Sequence, residues 1–224
     1  MLDIAQAHHV RDVLRLTDGA AVEAFDDAGA VAQGVLLLRG ARDVAVRVEH
    51  VQAGEKAGIS LTVAAAVPKG DRADWMVEKL SELGVAAFVP LAAARSVVLP
   101  EGKNKRERWV RIATEAAKQS RRAGVMRVGE LTTVAEALAE AARGPTWYLA
   151  TEAEARPVPM GDALADMADG GAVTAFVGPE GGWTAEELAA FGAAGARAVR
   201  LTATILRVET AAVAVAAVVG SLKS

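Results

Sequence analysis

Val173-Thr174-Ala175-Phe176-Val177-Gly178-Pro179-Glu180-Gly181-Gly182-Trp183-Thr184-Ala185-Glu186-Glu187 runs from an apolar segment through a glycine-rich turn into a capped helix. The first five residues read as a strand covered on both faces. Thr184 and Glu187 have the spacing of a capping box, which predicts a helix over Thr184 to Ala194. A strand that feeds such a turn exposes backbone N–H groups and lets a ligand approach the main chain closely. The turn is not a dinucleotide fingerprint, because no G-x-G-x-x-G occurs, and not a P-loop, because no Lys-Ser/Thr follows the glycines. Glu180 would repel a phosphate. It suits a ligand that carries an ammonium, a sulfonium or a hydroxyl.

The same rhythm extends in both directions. Leu201-Thr202-Ala203-Thr204-Ile205-Leu206-Arg207-Val208-Glu209-Thr210-Ala211 follows a predicted strand, Ala198 to Leu201, as the glycine loop follows its own. Two adjacent loops at strand C-terminal ends make a crevice, where open α/β sheets hold their ligands. Upstream, Ile59 to Val67 is a continuous apolar strand candidate. Ala73 to Leu83 places Met76, Leu80 and Leu83 on one helical face, with Gly84 to stop the helix. Val85 to Leu91 and Trp147 to Ala150 add strands, and an apolar helix closes the chain. Alternating strands and helices predict an α/β domain with a mainly parallel sheet covered on both faces.

The first sixty residues follow a different pattern. Ala21 to Phe25, the turn Asp26-Asp27-Ala28-Gly29 and Val31 to Leu38 read as a hairpin. Val44 to Val48 alternates with three valines on one face, and a helix is expected at His8 to Leu14. Gly54-Glu55-Lys56-Ala57-Gly58 reads as a linker. The chain therefore divides into a small β-rich, barrel-like domain over 1–57 and the α/β domain over 58–224.

Composition narrows the chemistry. Of 224 residues, 52% are hydrophobic and 24% charged, which excludes a disordered chain. Cysteine is absent, which removes disulfides, thiolate metal sites and cysteine nucleophiles. Aromatic residues are only 4%, so Ala, Val and Leu must build most of the core. Trp75, Trp109 and Trp147 are expected in that core, and Trp183 as a packing anchor behind the glycines. The start lacks the basic head and apolar run of a signal peptide. Thr210 to Leu222 falls short of the ~20 apolar residues of a membrane span. A soluble cytoplasmic protein is expected, with no membrane partner and no metal.

The net charge of −3 hides an uneven distribution. Residues 103–127 carry nine Lys and Arg against Glu107 and Glu115, so the remainder is acidic. At ~100° per residue, Arg108, Arg111, Lys118 and Arg122 share one arc of a helix, opposite Trp109, Ile112, Ala113 and Ala116. This face is either a solvated surface or a polyanion contact.

Five stretches carry a resemblance to a known family. They are His9-Val10-Arg11-Asp12-Val13-Leu14-Arg15, Glu78 to Val85, Glu115-Ala116-Ala117-Lys118-Gln119-Ser120-Arg121-Arg122, Gly178-Pro179-Glu180-Gly181-Gly182-Trp183 and Ile205-Leu206-Arg207-Val208-Glu209-Thr210-Ala211. In this order they resemble the RsmE family of 16S rRNA uridine-N3 methyltransferases, within the SPOUT trefoil-knot superfamily. The resemblance implies an N-terminal PUA-like RNA-binding β-barrel and a C-terminal knotted α/β methyltransferase domain. It implies S-adenosylmethionine as cofactor, a homodimer, and 16S rRNA, within the small ribosomal subunit, as partner. The cofactor site would comprise Thr151, Gly178, Pro179, Glu180, Gly181, Gly182, Leu201, Thr202, Ile205, Leu206 and Ala211. RNA would meet Arg11, Arg15, Arg108, Arg111, Lys118 and Arg122. Thr202, Thr204 and Val208 replace the family's usual glycine, arginine and threonine, and Thr202 is expected to narrow the pocket or bend its loop.

Chemistry agrees with this expectation. Uracil C5 methylation generally needs a cysteine, which this chain lacks; N3 methylation needs only removal of the N3 proton. Arg207 is the candidate to stabilise the resulting anionic base. Glu209 is the candidate to take the proton or to orient Arg207. Two alternatives remain at this stage: a related enzyme with another RNA target, or an RNA-binding relative with weakened catalysis.

Overall fold

The computed structural model describes residues 1–2, 4–26, 30–40, 43–52, 58–99, 103–122, 124–141, 144–150, 156–167 and 171–221. The chain forms two compact units, Met1–Glu55 and Lys56–Ser224. The predicted linker residues 54–57, the turn residues 27–29 and Thr151 lie outside the described residues.

In the first unit, helix α1 (Ile4–His8) runs into a π-helical turn (His9–Val13), so the predicted helix begins earlier than expected. Strands β1 (Ala21–Phe25), β2 (Val31–Leu38) and β3 (Val44–Gln52) form an antiparallel sheet in the order β1-β2-β3. The predicted hairpin is therefore present, with Ala21 opposite Val35 and Phe25 opposite Val31. Among the described residues this sheet does not close into a barrel. Closure needs an unbroken ring of strand pairing, and among the described residues β1 and β3 pair as strands with β2 alone. Leu36, Val44 and Ala7 form a small core of their own.

The second unit is a mixed α/β domain with a fully parallel eight-stranded sheet. Its elements are β4 (Ser60–Ala66), α2 (Asp71–Glu82), β5 (Ala87–Ala92), α3 (Lys103–Gln119), β6 (Arg127–Val128), β7 (Thr132–Thr133), α4 (Val134–Ala141) and β8 (Thr146–Leu149). There follow β9 (Val158–Pro159), α5 (Met160–Ala165), β10 (Ala172–Val177), α6 (Ala185–Ala193), β11 (Arg197–Arg200) and α7 (Val208–Gly220). The strands lie in the order β6-β5-β4-β10-β8-β11-β9, with β7 also paired to β5.

Alternation along the central strands sends residues to two cores. Leu61, Val63 and Ala65 of β4 and Val173, Ala175 and Val177 of β10 join Met76 and Leu80 of α2, Trp109 of α3 and Val215 of α7. Ala64, Tyr148 and Phe176 point the other way, onto Leu138 of α4 and Phe191 of α6. Period-2 side chains with helices on both sides explain why these strands read as unbroken apolar runs. The few aromatics are concentrated rather than scattered. Phe191 stacks on Tyr148 at 4.5 Å and meets Phe176 and Trp183 edge-on at 5.3 and 4.9 Å. Trp109 and Trp147 are buried as expected, but Trp75 is 45% exposed. It lies one residue before Met76, on the flank of α2 rather than on its buried stripe.

Helix α3 rests on α2. Asp74 of α2 accepts the Trp109 indole N–H at 2.9 Å and pairs with Arg108 at 2.6 Å. Asp74→Ala removes both, and is expected to cost about 2–3 kcal/mol in chemical denaturation with little change in the denaturant slope.

Candidate functional site

Strands β8, β10 and β11 end at the same side of the sheet. The crevice there has a volume of about 500 Å³. Its walls are Gly178, Pro179, Glu180, Gly181 and Gly182 after β10, and Leu201 to Leu206 after β11, with Val208 and Ala211 from the start of α7. The two loops are not neighbours, however. Strand β8 lies between β10 and β11, and its Leu149 and Ala150 also line the space. Chain order suggested adjacent strands; the inserted strand widens the crevice by one interstrand spacing.

Every described member of the predicted cofactor set lines this space: Gly178, Pro179, Glu180, Gly181, Gly182, Leu201, Thr202, Ile205, Leu206 and Ala211. The glycine loop is held firmly. Trp183 donates its indole N–H to the Leu149 carbonyl at 2.9 Å and is buried. A Cβ at Gly178 would lie 2.9 Å from the Trp183 ring, so only glycine permits this close approach. Gly182 has φ +70°, and its N–H donates to the Pro179 carbonyl at 2.9 Å. The predicted capping box is present: Glu187 N–H donates to Thr184 Oγ1 at 3.2 Å, and Thr184 N–H to Glu187 Oε2 at 2.8 Å.

Thr202 lines the crevice. Its hydroxyl folds back on its own loop, donating to the Thr204 carbonyl at 2.8 Å and accepting from the Thr204 N–H at 3.3 Å.

Arg207 is exposed and sits at the N-cap of α7, between lining residues Leu206 and Val208. Glu209 is placed otherwise than expected. It is 6% exposed and does not line the crevice. One residue past Val208 turns it about 100° around α7, toward α2, where Oε1 accepts from Arg72 Nη1 at 3.2 Å. Its Oε2 is buried with no hydrogen-bond partner among the described residues. Direct proton transfer to Glu209 from a base in the crevice has no geometric support. Arg72, which the motifs did not single out, is the residue that Glu209 engages.

The basic helix is also less open than its periodicity predicted. Arg108 is paired with Asp74, and Lys118 with Glu115 at 2.9 Å. Helix α3 ends at Gln119, and Arg121 takes a left-handed φ of +54°, so Arg122 leaves the predicted arc. Arg122 instead donates to the Ser81 carbonyl at 2.9 Å at the end of α2, and burial pulls its pKa below the ordinary arginine value. Arg111 is exposed and has no hydrogen bond or ion pair among the described residues. In the first unit, Arg11 donates to the Gly40 carbonyl at 2.7 Å, and Arg15 is exposed with φ +53°.

A family model for an RNA methyltransferase domain matches residues 55–220. The chain belongs to this RNA methyltransferase family. Within the family, it is 34% identical over its full length to the ribosomal RNA small subunit methyltransferase E of Mycobacterium tuberculosis, covering 87% of that protein. It is 33% identical to the Synechocystis protein of the same name over 94% of this chain and 69% of the relative. Among solved structures, the small subunit methyltransferase E of Neisseria gonorrhoeae, bound to S-adenosyl methionine, superposes with a TM-score of 0.85 at 29% identity. That match covers 99% of this chain and 90% of the other. Membership of the RNA methyltransferase family fits the parallel sheet and the crevice at its C-terminal edge. No helix among the described residues is long and apolar enough to cross a membrane, and among them no cluster of His, Asp and Glu is arranged for a metal ion.

Proposed function

We propose that this chain is an S-adenosylmethionine-dependent methyltransferase acting on N3 of one uridine in 16S rRNA. The carrying observation is the crevice itself, with main chain on two sides and Arg207 at the N-cap between two of its lining residues. The residues present fit the cofactor. The Gly178 position tolerates no Cβ, the loops bring backbone close, and exposed Glu180 offers a carboxylate to a cationic ligand. When bound, the cofactor supplies an electrophilic methyl group. The chain's part is to hold the uracil in line, shed water and stabilise charge. The N3 proton passes to solvent, and the negative charge it leaves spreads over N3, O2 and O4; the Arg207 guanidinium is the cation assigned to meet it.

Glu209 serves in this reading as a brace rather than a base. Its bond to Arg72 ties the first turn of α7, and so Arg207, to the first turn of α2. The trefoil knot belongs to the same reading, as does a PUA-like RNA-binding role for the first unit. Insertion of β10 between the earlier strands β4 and β8 supports a threaded crossover. The homodimer does too: Ile205, 84% exposed, is apolar surface for a second copy to cover.

RNA is expected to use Arg111 more than its neighbours on α3. Arg111→Glu should lower the salt slope of RNA binding by roughly one, while Arg108→Glu, which disrupts the Asp74 pair, should also lower stability. Filter binding across a salt series checks this, and equal slopes for wild type and Arg111→Glu would return the helix face to a solvated surface. Mapping the methylated nucleotide in rRNA treated with the enzyme tests the function as a whole; methylation at another atom would overturn it.

A further inference from the structure

Arg95 lies outside the glycine loop, the Leu201–Ala211 stretch and the basic helix, three residues beyond β5. Yet its Nη1 donates to the Gly181 carbonyl at 2.8 Å and to the Trp183 carbonyl at 3.2 Å. Its aliphatic stem covers Gly181 as well: a Cβ there would stand 3.1 Å from Arg95 Cβ and 3.3 Å from Cδ. The adjoining backbone is fixed by a second group. Ala94 N–H donates to Glu187 Oε1 at 2.8 Å, while Oε2 of the same carboxylate accepts from Thr184 N–H. One guanidinium and one carboxylate therefore lace residues 94–95 to both ends of the turn 181–184.

The turn needs such an external hold. Two consecutive glycines carry no side chains to pack, and glycine has the most backbone freedom to lose on ordering. The peptide plane between Gly181 and Gly182 is gripped from both sides, its carbonyl by Arg95 and its N–H by the Pro179 carbonyl. That plane also carries the positive φ of Gly182. A binding loop held in its bound form beforehand spares the ligand the cost of ordering it.

We propose that Arg95 is a positioning residue that presets the glycine loop for the cofactor. This rests on the reading of the crevice as the S-adenosylmethionine site. Arg95 touches the wall of the crevice from behind and acts through the carbonyls of Gly181 and Trp183.

Arg95→Met keeps the apolar stem and removes the donors. Titration calorimetry with S-adenosylhomocysteine is expected to show affinity about 10- to 100-fold weaker than wild type, the loss typical of hydrogen bonds from a charged donor. Arg95→Lys is expected to recover part of it, since an ammonium can still reach one carbonyl. In steady state the KM for the cofactor should rise, with kcat at saturating cofactor and the KM for RNA unchanged. Arg95→Gln gives the same comparison if Arg95→Met does not fold. Unchanged S-adenosylhomocysteine affinity in the folded variant overturns the proposal. So does a raised KM for RNA with unaltered cofactor binding, which would make Arg95 a phosphate contact. A wild-type protein that binds no S-adenosylhomocysteine would instead overturn the reading of the crevice.

Discussion

Gly178→Val is expected to abolish measurable binding of S-adenosylmethionine while leaving a folded protein. A Cβ at this position would lie 2.9, 3.1 and 3.2 Å from atoms of the Trp183 ring. The ring has nowhere to go: it meets Phe191 at 4.9 Å, and its N–H is committed to the Leu149 carbonyl. The loop must move instead, at an overpacking cost of about 1–3 kcal/mol, and the branches of valine then enter the crevice wall. Gly182→Val should be comparably damaging for a different reason, since a β-branched residue is poorly accommodated at φ +70°. Gly181→Val should be milder, with affinity weakened on the order of tenfold, because the flexible Arg95 stem can yield. Calorimetry and thermal melting on the three variants would establish the ranking. Full affinity in Gly178→Val would show that the loop is not part of the cofactor wall.

Much of this arrangement was legible in the sequence because it rests on local patterns. The apolar run Val173 to Val177, the glycine turn and the Thr184–Glu187 capping box each encode their own conformation. Chain order places two loops at strand ends, while the set of cofactor residues on them comes from the resemblance to the RsmE family. Short elements escaped. Strands β6, β7 and β9 have two residues each, too few for any periodicity. Helix α4 carried a readable signal, because Thr133 and Glu136 repeat the capping-box spacing. The Thr133 N–H and hydroxyl, with the Thr132 hydroxyl, hold the Glu136 carboxyl below its ordinary pKa.

What stayed hidden depends on contacts distant in sequence. Proximity along the chain groups Glu209 with Arg207, yet its partner is Arg72, 137 residues away. Arg95 meets the glycine loop from 86 residues away. The basic arc on α3 failed in part for the same reason. Helical periodicity predicts which residues share a face, but not that Asp74 of a neighbouring helix neutralises Arg108 or that a left-handed Arg121 ends the helix. Nor did chain order reveal that β8 separates the two crevice strands.

Arg207→Ala is expected to lower kcat by about 100- to 1,000-fold, the usual loss when one preorganised donor to a developing oxyanion is removed. Cofactor affinity should hold, because Arg207 lies outside the crevice lining and its backbone, which accepts from Ala211 N–H at 2.8 Å, is retained. RNA affinity should change little, since the proposed interaction strengthens only as the N3 proton leaves. Arg207→Lys should recover part of the rate, because a positive charge remains on a side chain that lacks the planar fork of arginine. The product offers a direct readout. A methyl group on N3 occupies the Watson–Crick edge of uracil, so reverse transcriptase should stop beside one uridine of small-subunit rRNA treated with wild-type enzyme and read through after treatment with Arg207→Ala. Methylation at C5 or on the ribose 2′-oxygen leaves that edge free and gives no comparable stop. A stop that persists at the normal rate with Arg207→Ala would remove the residue from the mechanism, whereas methyl incorporation without any stop would move the reaction to another atom.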